Sequence, residues 1–307
     1  MTTPVTLSII IPTYNRPEMI AGTLRRISQL THASFEVIVV DQSDHPLDRQ
    51  HWDYHPRVRY FHTEIRGLPR ARNFGLALAR GDIALFCDDD IIPGQQWLDA
   101  HEKNYSDPAV GAVAGRVIEN SGEVHCVKVG AMNQITGRQV DNFNSDMPAE
   151  IDHGMGCNLS FRAETLRTLN GFDTRFSGTA FLEETDTCLR LKSLGYTIRF
   201  EPAANVIHLK ADNGGCRPRS RRHWYYWYGH NYSLLFFKNF KRITLPLFMA
   251  FRIGNIVRGG LRHRQVSVLL FGLKGLFDGM RSYYFRDSHS PFLTVPTRAA
   301  GIQKQLD

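Results

Sequence analysis

Three consecutive carboxylates, Asp88, Asp89 and Asp90, follow an apolar run at residues 83–86 and precede a Pro-Gly turn. The apolar run is typical of a buried strand. A group of three carboxylates does not belong in a core, because burying even one unpaired carboxylate costs several kcal/mol. The triplet is therefore either a solvated acidic turn or a cation site. Oxygen ligands at the end of a strand favour Mg²⁺ or Mn²⁺, usually shared with a phosphate of the substrate.

A second acidic cluster begins the helix that is predicted at residues 181–194. Its carboxylates belong to Glu183, Glu184 and Asp186, which lie within one turn. Carboxylates at this end of a helix interact favourably with its dipole, and Asp186 can also pair with Arg190 four residues on. Both a structural and a chemical role are therefore open for this cluster.

The order of the predicted elements indicates the scaffold that positions these groups. Buried strands are predicted at residues 7–11, 35–40, 58–61 and 83–86, with helices at 18–30 and 68–80. Such alternation predicts an α/β fold with an open, mostly parallel sheet flanked by helices. Ligands bind these sheets beyond the carboxyl ends of the strands, where three polar clusters fall, at 13–16, 41–44 and 88–90. A nucleotide-type site is the leading interpretation, although neither a P-loop nor a GxGxxG motif occurs.

The next part of the chain continues the alternation with longer connections. A helix is predicted at 96–105, a strand at 110–117, a long loop over the site at 120–148, a helix at 162–169, and short strands at 197–200 and 206–208. His208 ends the last of these strands and precedes Gly214-Gly215. A single histidine serves structure as often as it serves as a ligand, so both roles are open for it.

The composition of the 307 residues, 42% hydrophobic and 22% charged, is that of a globular protein. The N-terminal apolar stretch is short and lacks a basic segment, so no signal peptide is expected. The five cysteines form no CxxC pair. A zinc site and a disulfide framework are therefore not expected, and a reducing cytosol fits.

Charge is distributed unevenly along the chain. Residues 217–307 contain 16 Lys or Arg against 3 Asp or Glu, whereas residues 1–216 contain 21 against 27. An acidic body is thus followed by a basic tail, which suggests an anionic membrane surface or a nucleic acid as partner. No apolar run reaches the roughly 18 residues that a membrane-spanning helix needs.

Six segments in this order resemble glycosyltransferase family 2, the inverting group with the GT-A fold that uses nucleotide-diphospho-sugars. The segments are SIIIPTYNRP (8–17), VIVVDQSD (37–44), GLPRARNFGLALARGDIALFCDDD (67–90), GCNLSFR (156–162), LNGFD (169–173) and EETDTCLRLKSLGY (183–196). They cover roughly residues 5–210. The pattern is most similar to rhamnosyltransferase-like enzymes of cell-envelope polysaccharide assembly.

The resemblance implies a role for each matching position. Nucleotide-sugar binding falls to Pro12, Thr13, Tyr14, Arg16, Asp41, Arg72, Asn73, Asp88 and Asp89. Asp88 and Asp90 match the ends of the DxD motif, and His208 matches a histidine that completes the metal or diphosphate site in some relatives. These residues would hold Mg²⁺ or Mn²⁺. The loop that contains Gly156 and Asn158 would contact the acceptor.

The catalytic base is implied at Glu184, within the acidic group Glu183, Glu184 and Asp186. The family usually has Glu-Asp where this chain has Glu183-Glu184, so the base here is one methylene longer, and Asp186 is the alternative. A sugar hydroxyl is a poor nucleophile, so a carboxylate must accept its proton during attack on the anomeric carbon. A divalent ion stabilises the nucleoside diphosphate that leaves.

The expected organisation is a catalytic domain at residues 1–215 and a basic helical region at 216–307. The nucleotide-binding half of the catalytic domain would span about 1–115, and the acceptor half about 116–215. The basic region has apolar helical faces beside Lys, Arg, Trp and Tyr, as in helices that lie in a membrane interface. Packing of this region against the catalytic body is the alternative. The resemblance implies a glycan or lipid-linked acceptor and a location on the inner face of the cytoplasmic membrane.

Three other functions are compatible with parts of the sequence. A catalytically idle protein that binds nucleotide-sugars would fit the departure at Glu184. A nucleic-acid-binding protein would fit the basic tail, but no nucleic-acid-binding motif is present, so nucleic acid is not the expected partner. A nucleotidyltransferase would need the same nucleotide and metal but would release pyrophosphate.

Overall fold

The computed structural model of this chain describes residues 6–32, 34–119, 128–210 and 220–285. Its strands are β1 (Leu7–Thr13), β2 (Phe35–Asp41), β3 (Val58–His62), β4 (Ile83–Cys87), β5 (Ile91–Pro93), β6 (Val110–Ile118), β7 (Ala131–Met132), β8 (Gln139–Val140), β9 (Ala149–Glu150), β10 (Asn158–Arg162) and β11 (Thr197–His208). Its α-helices are α1 (Pro17–Ile27), α2 (Leu68–Leu78), α3 (Trp97–Glu102), α4 (Ala163–Thr168), α5 (Glu183–Ser193), α6 (Arg221–Asn239), α7 (Leu245–His263) and α8 (Val266–Tyr284). The glycines at 214 and 215, Cys126, Cys216, and parts of the loop at 120–148 and of the basic tail lie outside the described residues.

Nine of the described strands form one mixed sheet in the order β3-β2-β1-β4-β10-β6-β11-β5, with β9 paired to β11. Strands β3, β2, β1 and β4 are parallel to one another. Every residue of β1 and β2 is buried, as expected for continuous β-branched runs in a parallel sheet. This half of the sheet therefore matches the predicted alternation of strands and helices.

Strand β1 is longer than the sequence predicts, because Pro12 and Thr13 continue it where a loop is expected. Both residues pair with β2, Pro12 with Val40 and Thr13 with Asp41. On the other side of β1 the pairing with β4 ends at Ile10. Pro12 thus lies where the strand has one neighbour, and a missing N–H is tolerated at such a position.

Strand β10 is the main departure from a parallel sheet. It covers Asn158–Arg162, where the sequence predicts a flexible segment, and pairs antiparallel with both β4 and β6. Strand β11 is also continuous, whereas the sequence predicts two short strands. Its pairing with β6 is irregular between Glu201 and Val206, and Pro202 lies in this irregular stretch.

The segment at 120–148 contains a small hairpin in the part that the structure describes. Strands β7 and β8 pair with each other and not with the main sheet. The hairpin turn is held by Asn133, whose side-chain oxygen accepts hydrogen bonds from the N–H groups of Ile135 and Thr136. This is the side-chain turn chemistry for which asparagine is favoured.

The helices of the C-terminal region pack on the body and on one another. A second apolar core joins Phe176 and Leu182 of the body to Tyr228, Phe236 and further residues of α6, α7 and α8. Lys238 of α6 bridges the carboxylates of Asp173 and Asp186. Helix α6 is therefore built into the body. No helix among the described residues is long and apolar enough to cross a membrane.

Candidate active site

The acidic triplet and His208 meet because of a strand that the sequence does not predict. Strand β5 directly follows the triplet and pairs antiparallel with β11, which places Ile91 opposite His208. The N–H of Leu209 also donates to the carbonyl oxygen of Asp90, at 2.9 Å. The polar ends of β4 and β11, more than 100 residues apart in sequence, are thereby joined.

One ligand atom from each of Asp88, Asp90 and His208 lies within 4.8 Å of the other two. His208 Nε2 is 3.2 Å from Asp90 Oδ1 and 3.7 Å from Asp88 Oδ2. Two carboxylates and an imidazole suit Mn²⁺, and the carboxylate oxygens also suit Mg²⁺. The donor set therefore fits a divalent cation shared with further ligands from a substrate.

The charges at this cluster are unevenly compensated. Burial raises the pKa of Asp88, and Arg72 and His208 oppose this rise. Burial alone would lower the pKa of His208, but its hydrogen bond to Asp90 and the charges of Asp88 and Asp90 raise it overall. A cation held between these side chains would offset the repulsion of the two carboxylates.

Asp89, which the resemblance assigns to nucleotide binding, points away from this cluster into the protein. Its side chain accepts hydrogen bonds from Thr13 Oγ1 at 2.7 Å and from Arg16 at 2.9 Å. The hydroxyl of Thr23 in α1 donates to the Asp89 carbonyl oxygen and accepts from the N–H of Ile91. Burial raises the pKa of Asp89 to about 6, against the effect of Arg16. Asp89 thus ties the ends of β1 and β4 together.

The open edge beyond β1 and β2 is formed by Tyr14, Asn15, Asp44 and Arg66. The Arg66 guanidinium lies over the Tyr14 ring, 4.9 Å from its centroid, and pairs with Asp44. Asn15 and Asp44 exchange two hydrogen bonds, at 2.8 and 3.0 Å. A half-buried aromatic ring and a cation at this edge can stack on a planar base.

Asp41, predicted to meet the base, is completely buried. Its Oδ1 accepts from the N–H of Ser43, and its Oδ2 accepts from Leu47 N–H and from the hydroxyl of Tyr60. In this structure both oxygens therefore hold the loop that follows β2 and are not directed at a ligand.

Arg72 joins the two acidic clusters. It pairs with Glu183, donates to the Gly156 carbonyl oxygen at 3.0 Å, and lies 3.7 Å from Asp88. A Cβ at Gly156 would lie 2.4 Å from the Arg72 guanidinium, so only glycine fits there. Gly156 thus contributes a carbonyl oxygen and the space that the Arg72 side chain occupies, and its contact with an acceptor stays a prediction.

Asn73 performs a different task from its neighbour Arg72. Its amide donates to the carbonyl oxygen of Phe172 and accepts from the N–H of the same residue, both at 2.8 Å. Asn73 therefore fixes the LNGFD turn against α2, and both functional groups of its side chain are used inside the protein.

Helix α5 carries Glu183, Glu184 and Asp186 in its first turn, after Leu182 in a left-handed conformation with φ of 77°. Burial and the neighbouring charge of Glu184 raise the pKa of Glu183 well above its ordinary value. One carboxylate oxygen of Glu184, Oε2, is buried and has no hydrogen-bond partner among the described residues. The charge of Glu184 contributes to the raised pKa of Asp88, after burial and the nearer charged groups.

Asp186, the alternative base, is fully enclosed. It accepts hydrogen bonds from Arg190 at 2.8 Å, from Lys238 at 2.8 Å and from Asn239 at 2.8 Å. Burial alone would raise the pKa of Asp186, but Lys238 and Arg190 lower it below its ordinary value. This carboxylate anchors α6 and is closed to a substrate.

Asn158, predicted to contact the acceptor, is likewise committed to the core. Its Oδ1 accepts from Trp97 Nε1 at 2.8 Å and lies 2.9 Å from His101 Nε2, and its amide donates to the carbonyl oxygens of Arg116 and Ala204. The hydrogen-bonding positions of this amide are therefore used inside the protein, and its contact with an acceptor stays a prediction.

Glu119 is a site residue that the sequence analysis does not single out. Its carboxylate lies 3.9 Å from His208 Nδ1 and pairs with Lys210 at 2.6 Å. Strands β6 and β11 are parallel neighbours, so the residues that directly follow them lie close together. Ligands bind beyond the carboxyl ends of such strands, and this rule could have identified Glu119 from the sequence.

His32, Asp99 and Glu102 form a second cluster with metal-ligand spacing. Here His32 Nδ1 accepts a hydrogen bond from the N–H of Ser34, which leaves the proton of a neutral ring on Nε2. That nitrogen donates to Glu102 at 2.6 Å, so the arrangement is explained as a hydrogen-bonded pair at the surface.

Comparison of the sequence with known proteins identifies the family of this chain. Residues 8–168 match the model of "Glycosyl transferase family 2". The chain is 28% identical over 210 residues to the pre-mycofactocin glycosyltransferase of Mycobacterium tuberculosis, which is 66% of this chain and 42% of that protein. The chain thus spans less than half the length of this relative.

Two solved structures share the fold. A mannosyltransferase from Pyrobaculum calidifontis, solved with GDP-Man and Mn²⁺, superposes with a TM-score of 0.57 and 19% identity, over 99% of this chain and 80% of that one. S. aureus TarS 1-349, solved with UDP-GlcNAc, superposes with a TM-score of 0.64 and 15% identity, over 91% of this chain and 82% of that one. The chain accordingly has the α/β GT-A fold, with a mixed sheet and C-terminal helices.

Proposed function

The chain belongs to glycosyltransferase family 2, and from this premise we propose that it is a metal-dependent, inverting glycosyltransferase. It would move a sugar from a nucleotide-diphospho-sugar to a hydroxyl group of a glycan or lipid-linked acceptor. The observation that carries the proposal is the cation-type donor set of Asp88, Asp90 and His208. It is supported by Glu184, whose buried Oε2 has no hydrogen-bond partner among the described residues.

The residues divide the reaction between them. Glu184 accepts the proton of the acceptor hydroxyl as that oxygen attacks the anomeric carbon. Asp88, Asp90 and His208 would hold the divalent cation, which supplies charge neutralisation to the leaving diphosphate. Attack from the side opposite the diphosphate inverts the anomeric centre. This geometry requires the base and the cation site to lie on opposite sides of the sugar, as two separate clusters on α5 and on β4 and β11 allow.

Nucleotide binding is assigned to the edge formed by Tyr14, Asn15, Asp44 and Arg66, with Arg16 nearer the diphosphate. Tyr14 and Arg66 present a flat, partly cationic surface for a base. Arg16 lies 3.6 Å from Asp90, so its charge is close to the cation site. Pro12, Thr13, Asp41, Asn73 and Asp89 support these groups from within the protein.

The proposed location is the inner face of the cytoplasmic membrane, with an acceptor used in cell-envelope polysaccharide synthesis. Helices α7 and α8 direct apolar side chains outward, among them Leu247, Leu261, Val266 and Leu270. Residues 241–277 contain seven Lys or Arg and no Asp or Glu. Asp278 of α8 pairs with Lys274, so positive charge remains in excess around the apolar face. Such a face complements an anionic lipid surface.

The experiment that tests the activity is release of nucleoside diphosphate from a panel of UDP-, GDP- and dTDP-sugars, including dTDP-rhamnose, with Mn²⁺ or Mg²⁺. We expect one donor to be hydrolysed slowly by the wild type, and to be transferred faster when membrane extract supplies an acceptor. Asp90→Ala and Glu184→Gln should each lower the rate by about 10² to 10⁴.

Three outcomes would contradict parts of this proposal. Donor binding without turnover in any condition would indicate an idle nucleotide-sugar-binding protein. Release of pyrophosphate would indicate a nucleotidyltransferase. Full activity of Glu184→Gln would remove Glu184 as the base.

A further inference from the structure

Arg252 of α7 is an unusual side chain, because it is a cation with 2% exposure and no carboxylate within ion-pair distance among the described residues. Its guanidinium stacks on Tyr232, 3.4 Å from the ring centroid, and donates to the Tyr228 hydroxyl at 3.0 Å. Its Nε is buried with no hydrogen-bond partner there. Burying such a cation is costly, so the site must gain something else from it.

What Arg252 holds is the tip of the β7–β8 hairpin. It donates to the carbonyl oxygen of Thr136 at 2.6 Å. The next residue, Gly137, has φ of +65°, and a Cβ there would lie 2.6 Å from Phe248 of α7. The hairpin turn is thus seated directly on the inner face of α7.

Strand β8 of the hairpin contacts α5 through Gln139. The Gln139 side chain accepts from the Tyr232 hydroxyl at 3.1 Å and donates to Thr185 Oγ1 at 3.1 Å. Thr185 is buried and directly follows Glu184. A continuous series of contacts therefore runs from Arg252 through Tyr232 and Gln139 to the first turn of α5.

A second link holds the same hairpin to α5. Asp152 accepts from the N–H of Met132 at 2.8 Å and pairs with Lys192 at 2.6 Å. The hairpin consequently bridges the C-terminal helices and the helix that carries Glu184. Glu184 Oε2 has no hydrogen-bond partner of its own among the described residues, so the turn of α5 that carries it contributes to its position.

We propose that Arg252 is a positioning residue for the reaction, acting through the β7–β8 hairpin and Gln139 on the turn of α5 that presents Glu184. This inference rests on the proposed role of Glu184. It extends the active site to α7, a helix of the basic C-terminal region. A displacement of about 1 Å at a reacting group can cost about a hundredfold in rate, so a side chain distant from the substrate can act in this way.

The test uses the full chain and the donor identified by nucleoside diphosphate release. Arg252→Met keeps the volume but removes the bond to Thr136, and Gln139→Leu interrupts the series without touching the buried cation. We expect each to lower kcat by about tenfold or more while the donor KM changes by less than about twofold. Arg252→Lys, which keeps a cation over Tyr232, should recover most of kcat. The control is Arg26→Met, at an exposed position of α1, with unchanged kcat.

Hydrogen exchange supplies a readout that does not depend on turnover. The amides of the first turn of α5 should exchange faster in Arg252→Met and Gln139→Leu at temperatures far below unfolding. If both variants keep wild-type kcat and exchange, the inference is wrong even if they are less stable. If the wild type turns over no donor, or Glu184→Gln is fully active, the proposed function fails instead. Should Arg252→Met not fold, Gln139→Leu alone decides.

Discussion

Arg72 is the residue on which the two acidic clusters depend. It pairs with Glu183 on α5 and lies near Asp88 after β4, while its contact with the Gly156 carbonyl fixes its orientation. The sequence places Arg72 in a motif but does not reveal its partners, which are 84 and 111 residues away. A single buried cation therefore links the start of α5, which carries the proposed base, to the candidate cation site.

Removal of Arg72 should destabilise the fold as well as the site. Arg72→Met leaves Glu183 buried beside Glu184, and breaking a buried pair in this way costs about 3–5 kcal/mol. The double variant Arg72→Met/Glu183→Gln removes the uncompensated carboxyl and should recover part of that loss. Urea unfolding of the single and double variants measures both quantities. If the double variant is no more stable than Arg72→Met, the buried Glu183 carboxyl does not destabilise the single variant.

At the level of residues, the motif resemblance does not indicate which polar motif residues make internal hydrogen bonds. Asp41, Asn73, Asn158 and Asp186 are polar and lie in motifs, yet each is saturated by internal hydrogen bonds. Sequence order cannot separate these residues from Glu184. The difference is whether the protein itself completes their hydrogen bonds, and that depends on packing.

At the level of elements, the parallel strands are predictable and the antiparallel insertions are not. Continuous β-branched runs identify β1 and β2 without reference to their neighbours. Strand β10 has the sequence NLSFR, in which Asn158 and Ser160 are polar although every residue but the last is buried. These two side chains are compensated by His101, Trp97 and Tyr105 on other elements. No local sequence pattern could indicate that hydrogen bonds from distant elements satisfy these polar side chains.

The buried polar cluster beneath β10 should make stability depend on pH. Burial lowers the pKa of His101 to about 4, against the effect of Asn158, whereas the unfolded chain has the ordinary value of about 6.5. The unfolded state therefore binds more protons between these values. Stability should fall as pH decreases from about 6.5 to 4, by roughly 3 kcal/mol from this group, and no further below.

Replacing His101 isolates this contribution. His101→Gln keeps an amide donor for Asn158 and carries no titrating group, so its stability should lose this part of the pH dependence. Denaturant unfolding at several pH values, compared between wild type and variant, measures the difference. Identical slopes for the two proteins would show that His101 is accessible to protons in the folded state.

At the level of the whole molecule, side-chain contacts cross the predicted boundary at residues 215 and 216. Lys238 of α6 donates to the carboxylates of Asp173 and Asp186, and Asn239 donates to Asp186. Composition marks this boundary by its change of charge. It gives no sign that one cation of the tail compensates two carboxylates of the body.

A fragment of residues 1–215 should therefore fold poorly. It would leave Asp173 and Asp186 without Lys238 and would expose the apolar side chains of Phe176 and Leu182. We expect this fragment to aggregate or to unfold at a much lower temperature than the full chain. Cooperative unfolding of the fragment near the wild-type Tm would contradict the second core as a part of the catalytic unit.

The outward face of α7 should decide whether the molecule binds membranes. Leu247 is 61% exposed and Leu261 is 74% exposed, and both can be changed without disturbing the inner face that holds Arg252. Each leucine that enters the lipid interface contributes about 1.5–3 kcal/mol, so Leu247→Glu and Leu261→Glu should each weaken binding by about tenfold or more. The control is Leu194→Glu, on the body, where the leucine is 54% exposed.

Flotation with vesicles of phosphatidylcholine, with and without phosphatidylglycerol, measures this binding. The wild type and Leu194→Glu should float with the anionic vesicles, and less so as salt screens the basic side chains around the face. Equal binding to both kinds of vesicle would assign the interaction to apolar contact alone. If the wild type binds neither, while gel filtration shows a dimer that Leu261→Glu dissociates, the face joins two copies of the chain and the proposed membrane location is wrong.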